Sequence, residues 1–196
     1  MKITILALGS NGDVTPCAAL GEALAQRGHQ VHLASHADFA PLAQANNLAF
    51  TPVAPASHLM VARAGIRLDR MVAQFVELAG ELARGFSAPA LRDADLILNQ
   101  LPGGLFGWDL AEKAGIPMAA LAQVPIIPTD AFASTGWPSL PWPAYNRLTY
   151  RFVENLIWSY FRAPINRWRQ HTLDLPPQPR GGYFHMLGTA AVPCLV

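Results

Sequence analysis

Continuous hydrophobic runs alternate along the chain with segments in which hydrophobic residues recur at helical spacing. The first run, residues 3–8, is β-prone, and the segment 15–28 then places Cys17, Leu20 and Leu24 on one helical stripe. Further strands are predicted at 30–34, 48–53, 94–98, 116–122 and 191–196. The predicted helices that separate these strands span residues 38–46, 67–91, 105–114 and 145–172.

This alternation of strands and helices predicts an α/β fold. Parallel neighbouring strands need crossover connections, and helices in those connections cover both faces of the sheet. We therefore expect a Rossmann-like parallel sheet flanked by helices on both faces. Ligands bind such sheets beyond the carboxyl ends of the strands, which directs attention to the loops 9–14, 54–66, 99–104 and 123–143.

Composition narrows the range of partners. The 196 residues suit one domain, and a formal net charge of +1 supplies no basic field that would hold nucleic acid. No apolar stretch approaches the roughly 20 residues of a membrane span, so a soluble protein is expected. Cys17 and Cys194 form no motif, which fits a reducing cytoplasm and two small core residues.

The turn after the first strand carries the candidate chemistry. Gly9 and Gly12 permit a tight turn, and free N–H groups at the start of a helix favour an anionic group nearby. Asp13 is expected one or two residues before that helix, where a helix N-cap and a catalytic carboxylate are equally good interpretations. Pro16 is expected in the first helical turn. The turn does not match G-x-G-x-x-G, which leaves a dinucleotide-dependent oxidoreductase as a distant alternative.

Three segments near the start resemble a known family. They are Gly9-Ser10-Asn11-Gly12-Asp13-Val14-Thr15-Pro16, Ala19-Leu20-Gly21-x-Ala23-Leu24 and Arg27-Gly28-His29-x-Val31. Together they resemble the opening of the sterol glucosyltransferase, antibiotic glycosyltransferase and rhamnosyltransferase group within the GT-B enzymes. Weaker similarity continues at 48–53, 114–117 and 173–177, so the resemblance covers essentially the whole chain.

The resemblance implies one half of a GT-B fold. In this group an inverting enzyme moves a hexose from a UDP- or dTDP-sugar to a hydroxyl of a lipophilic small molecule, without a metal or other cofactor. Residues 1–196 would be the N-terminal acceptor-binding domain. The C-terminal domain, which binds the nucleotide sugar, would be absent from this chain, and the isolated chain would be inactive. The cysteine usage indicates a cytoplasmic location, and peripheral contact with a membrane is left open.

The resemblance assigns roles to residues of the first turn. The family's catalytic base matches Asp13, which would take the proton of the acceptor hydroxyl. Ser10 and Asn11 would orient the acceptor or touch a phosphate, and Gly12 would contact the donor phosphate. Four later residues at the ligand end of the sheet are further candidates for binding the acceptor: Gln100, Gln123, Trp137 and Trp142.

Two carboxylate pairs are interpreted as structural. Asp93 and Asp95 flank the start of a strand, and Asp109 and Glu112 have helical spacing on what is expected to be a solvated face. No metal site is predicted at either pair. Two alternatives to an excised acceptor domain also stay open. One is a natural half-enzyme that pairs with a separate donor-binding chain, and the other is a non-catalytic binding module.

Overall fold

A computed structural model gives the fold of the chain. It describes residues 1–54, 93–100, 104–178, 180–188 and 193–195. The helix predicted at 67–91 and residues 55–66 of the second predicted loop lie outside the described residues.

Strands and helices alternate through the described chain. In order, the elements are β1 (Lys2–Leu6), α1 (Asn11–Gln26), β2 (Gln30–His36), a 3₁₀ turn (Ala37–Phe39), α2 (Ala40–Ala45), β3 (Ala49–Ala54), β4 (Leu96–Gln100), α3 (Gly104–Ala114), β5 (Met118–Leu121), α4 (Pro143–Trp168), a π-helical turn (Arg169–Leu173), α5 (Gly182–Gly188) and β6 (Cys194–Leu195).

The described strands form one six-stranded sheet in the order β3-β2-β1-β4-β5-β6, and every pair is parallel. Ile5 in the central strand β1 lies opposite Leu33 of β2 and Leu98 of β4. One hydrophobic cluster packs the sheet against α1 and α2, and a second packs it against α3, α4 and α5. The predicted Rossmann-like parallel sheet with helices on both faces is confirmed.

Helix α1 begins earlier than the sequence pattern predicted. It starts at Asn11 instead of Thr15, with Ser10 as its N-cap, so Asp13 is the third residue of the helix and does not precede it. Pro16 is consequently inside the helix and not in its first turn, and it has no N–H to donate to the carbonyl of Gly12. The interaction between Ser10 and Asp13, described below, stabilises this early start.

The pair Asp109 and Glu112 is not a solvated structural pair, because Asp109 is fully buried. Its Oδ1 accepts hydrogen bonds from Arg169 Nη1 and from Gln178 Nε2. Arg169 also donates from Nη1 to Glu112 Oε2 at 2.9 Å and from Nε to the carbonyl of Pro176 at 2.7 Å. We call this group the Arg169 clamp, since it fastens the end of α4 and the segment after it onto α3.

Burial raises the pKa of Asp109 to about 6, although Gln178 and Arg169 act in the opposite direction. The native state therefore binds a proton at Asp109 more tightly than the unfolded chain does. This group's contribution to stability consequently falls as the pH rises through the interval between its ordinary pKa of 3.8 and about 6.

Replacing Arg169 with methionine tests the clamp. Arg169→Met leaves the Asp109 carboxylate buried without its cation, so we expect a loss of about 3–5 kcal/mol in the free energy of unfolding at pH 8. The loss should be smaller at pH 5, where protonation removes the buried charge. The matched control is Arg147→Met, because Arg147 pairs with Asp130 at 2.7 Å and both side chains are half exposed. The control should cost less than about 1 kcal/mol, and equal losses in urea unfolding would contradict the buried clamp.

Candidate functional site

The direction of the chain through the sheet reverses between β1 and β4. From β1 it proceeds outward to β2 and β3, and from β4 it proceeds outward on the other side to β5 and β6. A crevice forms at such a switch point, beyond the carboxyl ends of the two central strands. The turn that follows β1 and Gln100, the last residue of β4, both lie at this edge. The predicted site residues are therefore placed at the point where an open α/β sheet binds ligands.

The two carboxylate oxygens of Asp13 have different partners. Oδ2 accepts hydrogen bonds from the backbone N–H of Ser10 at 2.7 Å and from the Ser10 hydroxyl at 2.8 Å. Oδ1 accepts one hydrogen bond, at 3.2 Å, from Nε2 of Gln100. The side chain is partly exposed. One oxygen thus holds the start of α1, while the other faces the neighbouring strand.

A network of side chains joins three strand ends. Gln100, which is 3% exposed, donates from Nε2 to Asp13 and also to Oε1 of Gln123 at 3.2 Å. Gln123, just beyond β5, donates from its own Nε2 to the backbone carbonyl of Asp13 at 2.6 Å. The structure therefore brings together four of the residues that the sequence analysis selected, namely Ser10, Asp13, Gln100 and Gln123.

The structure shows no hydrogen bond between this network and the side chains of the other selected residues within the described part of the chain. Asn11 and Gly12 are exposed in the first turn of α1. Trp137 is 42% exposed and packs edge to face on Phe152, with ring centroids 5.6 Å apart. Trp142 is 64% exposed and directly precedes α4. The roles proposed for these four residues stay predictions.

Gly9 is required at this site for two steric reasons. Its backbone has φ +132°, a conformation that residues with a Cβ rarely adopt. A Cβ built at Gly9 would lie 2.4 Å from Oδ2 of Asp13. The carboxylate therefore occupies the space directly beside the glycine, and the predicted tight turn is also what makes room for the Asp13 side chain.

His36 is a site residue that sequence reasoning missed. It is the last residue of β2 and 2% exposed, and its Nε2 accepts a hydrogen bond from the backbone N–H of Gly9 at 3.1 Å. Accepting at Nε2 requires a neutral imidazole with its proton on Nδ1. A signal existed in the sequence, because the strand at 30–34 was expected in the same parallel sheet as the first strand, and the carboxyl ends of parallel strands lie at one edge of a sheet. The predicted strand, however, ended at residue 34.

An apolar cavity of about 380 Å³ begins directly after Gln123 in the chain. Its volume falls within the range of small-molecule sites. Residues of the loop after β5 and of α4 form most of the wall, with contributions from α3 and α5. The principal apolar lining residues are Leu105, Val124, Ile126, Val153, Ile157 and Phe184.

Four polar side chains interrupt this apolar lining, namely Ser134, Thr135, Tyr150 and Glu154, and the last two are the candidates for binding a polar group. Tyr150 is 3% exposed, and its hydroxyl is buried without a hydrogen-bond partner in the part of the chain that the structure describes. Burial raises the pKa of Glu154 to about 7, against the opposing charge of Arg151. Glu154 is consequently protonated in a substantial fraction of molecules at neutral pH, when it can donate a hydrogen bond. The cavity can therefore bind an apolar molecule that carries polar groups.

The parallel sheet with its reversal of strand order has the fold of the GT-B glycosyltransferases, and the chain is similar to their N-terminal domains. Within that class, residues 3–98 match the glycosyltransferase family 28 N-terminal domain. The fold resembles the glycosyltransferase of kitacinnamycin (TM-score 0.59, 16% identity, 92% of this chain and 42% of that one). It also resembles the glycosyltransferase SsfS6 of Streptomyces sp. SF2575 (TM-score 0.54, 21% identity, covering 91% of this chain and 48% of that one).

Curated relatives agree with this class. The chain is 32% identical over 188 residues to a sterol 3-beta-glucosyltransferase of Yarrowia lipolytica and 30% identical over 186 residues to one of Candida albicans. These alignments cover 90% and 89% of this chain but only 13% and 12% of the relatives. The chain thus corresponds to a small part of much longer proteins.

Alanine at Gly9 should disturb the site, whereas alanine at Gly12 should not. Gly9→Ala requires a left-handed backbone and displaces the Asp13 carboxylate, so we expect a loss of about 1–3 kcal/mol in the free energy of unfolding. Gly12 is the matched control, because its Cβ would meet nothing closer than the Ser10 hydroxyl at 3.7 Å. Gly12→Ala should be neutral or slightly stabilising. Urea unfolding measures both, and an undiminished stability of Gly9→Ala would contradict the described turn.

Proposed function

We propose that this chain is the acceptor-binding half of an inverting glycosyltransferase and that Asp13 is its catalytic base. The observation that carries the proposal is the position of Oδ1 of Asp13 at the switch point of the sheet, where Gln100 is its one hydrogen-bond donor among the residues that the structure describes. A carboxylate oxygen can accept about two hydrogen bonds. Oδ1 therefore retains capacity for a proton, while Oδ2 already has two donors from Ser10.

The proposed reaction needs Oδ1 of Asp13 to accept a proton only while the new glycosidic bond forms. A free carboxylate is far too weak a base to ionise an alcohol in advance, but it can take the proton as the new bond forms. The acceptor oxygen attacks the anomeric carbon of the sugar, its proton passes to Oδ1 of Asp13, and the nucleoside diphosphate leaves from the opposite face with the bonding electrons. Gln100 and Gln123 would hold the carboxylate in position during this step, the first through Oδ1 and the second through the backbone carbonyl.

The apolar cavity supports a lipophilic acceptor. Val124 of its wall follows Gln123, which contacts Asp13, and the proposal requires a molecule in the cavity to extend from there toward the carboxylate. Tyr150 and Glu154 would bind polar groups on that molecule, and the apolar residues would enclose its body. Relatives described as sterol 3-beta-glucosyltransferases are consistent with such an acceptor. Trp137 and Trp142 would extend the acceptor surface outside the cavity.

The donor would be a UDP- or dTDP-hexose, used without a metal or other cofactor. Ser10, Asn11 and Gly12 surround the N-terminus of α1, where backbone N–H groups and the helix dipole favour a phosphate.

Most contacts to the nucleotide would come from a donor-binding domain outside residues 1–196. That domain would follow in the same protein or belong to a separate chain of a natural half-enzyme, and reading the gene beyond codon 196 distinguishes the two. A cytoplasmic location is part of the proposal.

Asp13→Asn tests the proposed base. Asparagine retains an oxygen that can accept from the Ser10 backbone N–H, so the start of α1 should survive while the proton acceptor is lost. In a protein that includes the donor-binding half, we expect kcat to fall at least ~10²-fold, with little change in acceptor affinity. Ser10→Ala is the control for an indirect effect, because it removes one hydrogen bond to Oδ2 and leaves Oδ1 in place. A nearly unchanged kcat in Asp13→Asn would remove Asp13 from the mechanism.

Tyr150→Phe tests the proposed acceptor cavity. The variant removes a buried hydroxyl that has no partner in the described residues, so the stability of the free protein should be unchanged or slightly higher. If the acceptor bonds to this hydroxyl, its dissociation constant should rise roughly tenfold, the effect of one lost hydrogen bond. Calorimetric titration with a sterol or another hydrophobic alcohol measures the change. Equal affinity in both proteins would exclude Tyr150 from acceptor binding.

A further inference from the structure

We propose that the outer face of α4 binds the surface of a bilayer that contains anionic lipids. Four exposed hydrophobic side chains follow each other on this helix at intervals of four residues. They are Leu148, Phe152, Leu156 and Tyr160, exposed by 60%, 56%, 41% and 42%. Residues four apart lie on the same side of a helix, so these four form one continuous apolar stripe.

The dimensions of the stripe suit contact along a surface. From Leu148 to Tyr160 it extends about 18 Å at 1.5 Å per residue. None of the helices in the described chain is long and apolar enough to cross a membrane. An amphipathic helix of this kind lies in the plane of the interface with its apolar side against the acyl chains. Trp142, 64% exposed at the start of α4, adds an indole of the type that concentrates at membrane surfaces.

Positive charge accompanies the apolar stripe. Residues 143–168 contain four arginines and one glutamate, a formal net charge of +3, whereas the whole chain carries +1. Arg151, three residues after Leu148, is exposed beside the stripe, and Arg162 is exposed further round the same helix. Arg147 and Arg151 also line an open cavity of about 470 Å³ next to it, although Arg147 is paired with Asp130. The chain's excess of positive charge is therefore concentrated on the one helix that exposes the stripe.

This combination favours an anionic bilayer over a second copy of the chain. A symmetric dimer through α4 would bring two helices of charge +3 against each other. An anionic bilayer instead attracts the arginines and accepts the apolar side chains at the same contact. The remaining residues carry a net charge of −2, which would turn the other surfaces away from the membrane. The inference rests on α4 alone and does not require the proposed glycosyl transfer.

The contact would also have a consequence for the cavity. Tyr150, Val153 and Ile157 belong to the same helix and line the apolar cavity on its inner side. A hydrophobic molecule dissolved in the bilayer would then be separated from the cavity by the width of one helix.

Vesicle flotation tests the surface without any reaction. The intact protein is mixed with vesicles of phosphatidylcholine containing 30% phosphatidylglycerol, or with pure phosphatidylcholine vesicles, and the floated fraction is measured. We expect binding to the anionic vesicles and a much smaller floated fraction with the neutral ones. The double variant Leu148→Ser with Leu156→Ser should lower partitioning at least roughly tenfold.

Two double variants, each of which removes two positive charges, test the contribution of the arginines on α4. Arg151→Gln with Arg162→Gln should weaken binding by roughly fivefold for each arginine removed. Arg27→Gln with Lys113→Gln removes the same charge from exposed positions directly after α1 and on α3, and it should bind like the unmodified protein. Equal weakening by both pairs would overturn the proposal, because it would show an effect of net charge only.

Other occupants of the face give distinct results. Undiminished flotation of the serine variant would overturn the proposal. A second result would also overturn it: the unmodified protein is a dimer in size-exclusion chromatography, the serine variant is a monomer, and both float equally. That result would assign the face to a second copy of the chain. A large fall in thermal stability of the intact serine variant without a change in flotation would assign the face to another segment of the protein. Loss of flotation with normal transferase activity on a soluble acceptor would support the membrane contact.

Discussion

The contact between the Asp13 carboxylate and Ser10 is the interaction on which the candidate site depends. It exists because Gly9 has a left-handed backbone and no side chain, which leaves the space that Oδ2 occupies. The contact sets the start of α1 at Asn11. With the carboxylate held at Oδ2, the other oxygen reaches Gln100 across the sheet. The conformation of one glycine thus determines where the helix begins and which atom faces the crevice.

A helix-stabilising role for Asp13 and a catalytic role are compatible, because they use different oxygens. The sequence allowed an N-cap or a base, whereas the structure places Ser10 at the N-cap and Asp13 at the third helical position. From there Oδ2 receives both hydrogen bonds from Ser10, and the network of Gln100 and Gln123 surrounds Oδ1 and the backbone carbonyl. An immobilised carboxylate loses little entropy when a substrate arrives, which favours a defined geometry for proton transfer.

The sheet could be predicted from the sequence because its strands are buried on both faces and appear as continuous apolar runs. Asp13, Gln100 and Gln123 could be selected because each is near the end of such a run. The start of α1 was predicted too late because Pro16 is typical of a first turn, and the pattern did not show that Ser10 and Asp13 interact. Asp109 was assigned to a solvated face because its partner Arg169 is 60 residues away. Contacts between distant segments, which decide burial, leave no periodic signal.

The Arg169 clamp affects the apolar cavity because it helps to fix the rotation of α4 about its own axis. A helix turns by about 100° per residue, so a shift of about two residues would exchange its inner and outer side chains. Both ends of α4 are fixed by buried polar groups. Near its start, Asn146 donates to the carbonyls of Asp130 and Leu140 at 3.0 Å, and beyond its end Arg169 is held by Asp109. These anchors keep Tyr150 at the cavity and leave Phe152 exposed to solvent. Polar contacts at both ends, together with the core packing of Trp158, Phe161 and Ile165, therefore decide which hydrophobic residues of this helix are available for binding.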